Sequence, residues 1–167
     1  MKHAIVAVAL LTFADFASSC SLSASREFRV NRPLREAQGT GRILVKSLNF
    51  VPSMGGGTSC DGLGLLSVQL EGQGVNTATM RKMGYFLRPK SGVVNEKLFP
   101  RHAIAPFVSE SDSVSVSWGW SRATPTQDGE YHWVLELVPV TKQGALMPGT
   151  EFCASSDNWC SSWAPGR

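Results

Sequence analysis

The 167-residue sequence contains no Gly-x-Ser-x-Gly elbow, no His-Glu-x-x-His pair and no Cys-x-x-Cys. The local signatures that place a serine nucleophile, a catalytic zinc or a redox dithiol are therefore missing. Histidine is scarce: beyond His3, only His102 and His132 remain, a thin supply for general acid–base work. The glycine-rich stretch Pro52 to Gly64 is followed by no Lys-Ser or Lys-Thr at P-loop spacing, which argues against a phosphate cradle there. No segment after the first twenty residues keeps a helical period for a dozen residues, and no apolar run approaches the roughly twenty needed to span a bilayer. The formal charge of +3 is too small an excess to argue for nucleic acid. These absences lead to the expectation of no catalytic residues, no metal site, no cofactor and no enzymatic activity.

What the chain does contain is strand pattern. From Ser113, the row Val114, Val116, Trp118, Trp120 alternates with serines and Gly119, and from Tyr131 the row Tyr131, Trp133, Leu135, Leu137 alternates with His132, Val134, Glu136, Val138. A period of two sends one row to the core and the other outward. Read together, the two runs form a hairpin about a polar loop. On its outer row, His132 lies about 13 Å from Glu136 at strand rise, too far to share a metal directly. Ile43 to Val51 is a further strand whose phase slips near Ser47, as a bulge would make it. Leu66 to Leu70 follows, then Met80 to Arg88 with Arg81, Met83, Tyr85 and Leu87 as the inner row and Pro89 as its stop. Val93 to Pro106 suits a crossover between sheets, and Ala145 to Phe152 a last short strand broken at Pro148-Gly149. Short strands separated by Gly and Pro indicate an all-β fold, an antiparallel β-sandwich. The half running from Gly84-Tyr85 through Trp118, Asp128-Gly129, Trp133 and the Gly144 turn resembles the immunoglobulin-like or fibronectin type III-like modules of exported bacterial lipoproteins. That resemblance implies a binding or structural module with a protein or carbohydrate partner.

Lys2 and His3, the apolar run Ala4 to Phe13 and the small residues after it have the order of a secretory signal peptide, assigned here to residues 1–19. Ala17-Ser18-Ser19-Cys20 resembles a bacterial lipobox, with Ala17 where Leu is usual. The resemblance implies acylation of Cys20 and a membrane partner through the lipid anchor, and Ser21 resembles the signal for the outer membrane. The same residues also suit ordinary cleavage and free secretion. Residues 20–41 form a Ser- and Arg-rich tether in which Arg26, Arg29, Arg32 and Arg35 recur every third position. The arm reads as a solvated linker, with contact to anionic headgroups as its functional alternative. Arg32-Pro33-Leu34-Arg35 also resembles the host-targeting tetrapeptide of oomycete effectors, without its acidic Glu-Glu-Arg companion.

The sandwich is assigned to residues 42–152 and a cysteine-pinned tail to 153–167. Trp118 and Trp133 fit the core rows, whereas Trp120, Trp159 and Trp163 are candidates for stacking on a sugar ring or filling a partner pocket. An exported chain permits disulfides. Cys153 and Cys160 enclose six residues with Asp157-Asn158 as a turn, and are expected to bond to each other. Cys60 is left odd if Cys20 is acylated, and Cys20 with Cys60 is open if it is not. The expectation as a whole is an exported, lipid-anchored envelope or surface module, with a secreted binding protein or effector as the alternative and an enzyme lacking any recognisable motif as a distant third.

Overall fold

The computed structural model describes residues 25–37, 41–52, 62–108, 113–121 and 129–163. The expected signal peptide, Cys20 and Cys60 lie outside the described residues. Two mainly antiparallel sheets enclose one core. The first runs β2 (Arg42–Val51), β3 (Leu63–Gln73), β6 (Val114–Ser121), β5 (Phe107–Val108). In the second, β7 (His132–Val140) is central. It pairs on one side with β4 (Gly84–Ser91) and on the other with β9 (Thr150–Ser155) and then β8 (Ala145–Leu146), on which β1 (Arg35–Glu36) lies parallel.

β3 shows the clearest alternation, burying Gly64, Leu66, Val68 and Leu70 in turn. Opposite them on β6 stand Trp120, Trp118, Val116 and Val114, so the expected inner row of β6 meets its partner row pair by pair. β2 carries the expected irregularity, its register shifting between Val45 and Ser47. The inner row Met83, Tyr85, Leu87 is buried, but the strand begins at Gly84. Asn76 accepts a hydrogen bond from the Thr79 amide at 2.8 Å and opens a single helical turn, α1 (Thr77–Met80), in place of the expected strand start. The Tyr85 hydroxyl donates to the Met80 carbonyl at 2.8 Å, and burial raises the phenol well above its ordinary pKa.

Two further expectations are corrected. Pro89 does not stop β4, which pairs on to Ser91. The Tyr85 amide points away from β7, to the Ile104 carbonyl. Two-residue periodicity sends the Pro89 nitrogen the same way, to a stretch of edge where a missing donor costs no ladder bond. Nor are β6 and β7 a hairpin: they belong to different sheets. Their inner rows face each other instead of lying side by side, and Trp120 packs across the core on Trp133 with ring centroids 5.0 Å apart. Phe50, Phe99 and Tyr131 complete an aromatic cluster around Trp133.

The arm is no solvated linker over its described length. Phe28 is buried, its amide donates to the Ala103 carbonyl and the Ala105 amide donates to Arg26. Farther on, the Asn31, Arg35 and Ala37 amides bond the carbonyls of Lys142, Gly144 and Leu146. Phe28, Ala103 and Val140 thereby form a second small core on the outer face of β7. Gly84 makes room for it, because a Cβ there would fall inside the Phe28 ring.

Candidate functional site

β7 runs across the second sheet, and polar side chains gather at both of its ends. At the start of the strand, His132 pairs with Ser155 on β9. Immediately beyond, Cys153 and Cys160 are joined, with Cα atoms 5.6 Å apart. The expected pairing of these two is present. The bridge folds the intervening residues back over the sheet, where the Ser155 hydroxyl donates to the Asp157 carbonyl at 2.8 Å. Asp157 Oδ1 accepts the Trp159 amide at 3.0 Å, which opens the short 3-10 turn Trp159–Ser162.

This fold-back builds a cluster that strand spacing did not disclose. His132 Nε2 lies 3.1 Å from Asp157 Oδ2 and 3.1 Å from Glu130 Oε2, and the Trp159 indole stacks on the imidazole at 4.8 Å between centroids. The Asp157 carboxyl is held below its ordinary pKa, first by the Trp159 amide, and further by the His132 bond and charge and by Glu130, against an opposing effect of burial. One imidazole nitrogen and two carboxylate oxygens within 4.8 Å are a donor set that a divalent cation can use. Their mutual hydrogen bonding is also a complete account of the arrangement. The expectation of no metal-ligating set weighed only Glu136 against His132, and Glu136 turns instead to Arg88 and Lys90. Glu130 stands two residues from His132, and Asp157 arrives through β9 pairing that a single strand's periodicity does not contain.

Of the expected contact residues, Trp120 is corrected. It is 5% exposed and belongs to the core, where its ring occupies the space left by Gly64; a Cβ at that position would fall inside the indole. A strand end is exposed only when nothing lies across from it, and Trp133 lies across from this one. Trp159 is half-buried by its stack on His132. Trp163 is half-buried too, beside Cys160 in a groove shared with Leu44 and Phe152. Trp118, expected in the core, is only half-buried and donates its indole N–H to the Leu98 carbonyl at 2.9 Å. His102 is exposed.

At the opposite end of β7, the Thr141 to Gly144 turn, the residues after α1 and the start of the arm surround a cavity of about 730 Å³. Arg26, Arg81, Lys82 and Lys142 line it with a single acid, Glu27. Arg26, Arg29, Arg32 and Arg35 are all exposed, yet only Arg26 reaches this cavity. No helix among the described residues is long and apolar enough to cross a membrane. No family model matches the chain, and no curated protein or solved structure matches it.

Proposed function

We propose that the protein is exported, held at the cell envelope by acylation of Cys20, and acts there as a non-enzymatic binding or structural module. The observation that carries this reading is the Cys153–Cys160 bridge, which positions Asp157 and Trp159 on His132. A bridge with such a structural task suits a compartment in which disulfides persist. An immunoglobulin-like fold is part of the same proposal. With the two-residue strands β1 and β8 set aside, the orders β2-β3-β6-β5 and β4-β7-β9 correspond to A-B-E-D and C-F-G of a constant-type domain. Such sandwiches present surfaces and loops to partners, and the fold itself implies no chemistry.

Mass spectrometry of the mature chain purified from a bacterial envelope fraction tests the anchor. The expected N-terminus is Cys20 carrying diacylglycerol. Cleavage elsewhere, or Cys20 recovered as a thiol or disulfide, would overturn it and place the protein among secreted binding proteins or effectors.

A further inference from the structure

We infer that the cavity at the arm end is a binding site for the phosphate of an anionic phospholipid headgroup. Its cations converge from three separated stretches of chain: Arg26 from the arm, Arg81 and Lys82 from the turn after α1, and Lys142 from the turn after β7. Lys82 and Lys142 are exposed, and with Arg26 they make no ion pair among the described residues. On β4 of the same sheet, by contrast, Lys90 is used internally, lying 3.6 Å from Glu151 and 4.0 Å from Glu136. Arg26, Lys82 and Lys142 share the lining with one acid, Glu27; like charges in excess repel one another, and an anion placed between them relieves that repulsion.

The cavity's other walls narrow the class of anion. Phe28, Met83, Ala105 and Pro106 line it beside the cations. A site for a small inorganic anion has no use for so much apolar wall, whereas a glycerophosphate headgroup with the start of its acyl chains presents both charge and hydrocarbon. Position supports the same ligand, and this step rests on the anchored reading above. Arg26 follows Cys20 by six residues, so even fully extended chain separates their Cα atoms by no more than about 22 Å. An acylated Cys20 therefore keeps this rim of the cavity near the bilayer surface, within the range where basic residues feel anionic lipid.

The test removes the anchor so that it cannot supply the binding. The exported full chain carrying Cys20→Ala is titrated with phosphatidylglycerol-containing vesicles, with phosphatidylcholine vesicles, and with soluble glycerol 3-phosphate. Binding is expected to the anionic vesicles and not to the neutral ones. Lys82→Gln with Lys142→Gln should weaken it about 25-fold, from about fivefold per cation near a membrane surface, with no fall in the thermal midpoint. Arg29→Gln with Arg32→Gln, which removes two exposed arm charges outside the cavity, should weaken it far less. Equal losses from the two pairs would overturn the cavity in favour of diffuse attraction. Binding of glycerol 3-phosphate without vesicle binding would overturn the lipid source, and binding of neither probe would overturn the site. None of these outcomes depends on the chemical state of Cys20, which the mass measurement reads separately.

Discussion

The two ends of β7 are held by opposite means. At the His132 end the tail is fastened by a covalent bridge and by the 3.1 Å contacts of His132 Nε2 with the Asp157 and Glu130 carboxylates, so its polar groups meet one another. At the Val140 end the arm is fastened by the buried Phe28 ring and by backbone hydrogen bonds, and Arg26, Lys82 and Lys142 beside it are exposed, with no ion pair among the described residues. Where apolar packing and backbone bonding hold a segment, its charges need not hold it. They remain free to meet something else. The tail end therefore reads as architecture, and the arm end as the surface where an external anion is accommodated.

The comparison breaks completely if the strand joining the two ends is lost. Trp133 is 1% exposed and touches four other aromatic rings. Trp133→Ala should cost roughly 3–5 kcal/mol, a large share of a domain's net stability, and release both ends together. His132→Ala, one position away and half-buried, should cost less than about 1 kcal/mol. Chemical denaturation compares the two, and similar midpoints would mean that the faces of β7 are reversed.

Phe28→Ala sharpens the contrast by acting on one end. It empties the small core over Gly84 and Val140, for a cost of about 3 kcal/mol. The arm should then become open to protease while the Cys153–Cys160 region stays protected. Cleavage within the arm no faster than in the unaltered chain would show that the backbone bonds to Lys142, Gly144 and Leu146 suffice without the ring.

Much of this frame was legible in the residues. The rows Val114/Val116 and Trp133/Leu135/Leu137, the slip at Ser47, and the Cys153–Cys160 pair each depend on short-range pattern, and the structure contains them. Strand partnership is a long-range property, and there the reading failed. β6 and β7 adjoin in sequence, but each buries its aromatic row against the opposite sheet, and periodicity is the same for strands that pair and strands that stack. That one difference also moved Trp120 from the surface to the core. The arm was misread because a single aromatic, Phe28, docks it, and one residue makes no period. Neither polar cluster is assembled by the sequence, because its members come from separated segments: Asp157 reaches His132 only through β9, and Arg26, already a candidate for anionic contact, joins Lys82 and Lys142 only through the folding of the arm.

A smaller effect is expected from opening the bridge. Cys153→Ser with Cys160→Ser removes a constraint over a sequence separation of 7, for which chain entropy gives about 2–3 kcal/mol. Unlike the Phe28 change, this one should free residues 156–163 while leaving the arm docked. Hydrogen exchange resolves the two regions, and faster exchange in the arm would mean that the ends are coupled through β7 and not independently fastened.

The smallest effect tests whether the Asp157 carboxylate helps to fasten the tail. Folding lowers the Asp157 pKa, the Trp159 amide being the first cause and His132 a further one. A carboxyl whose pKa is lower folded than unfolded adds stability that is fully present above its unfolded value, about 3.9, and is lost as pH falls through the lower folded value. From pH 7 down to about 5, Asp157 should therefore contribute no change. In stronger acid the Trp159 amide should lose its acceptor, its proton resonance should move, and the tail should loosen ahead of the arm. Asp157→Asn keeps an oxygen for the Trp159 amide but removes the charge facing His132, so the variant should loosen slightly at neutral pH and lose this acid transition. A Trp159 amide that titrates at or above the ordinary aspartate value would contradict the pairing. So would an acid transition that persists unchanged in Asp157→Asn, since it would then belong to another carboxylate.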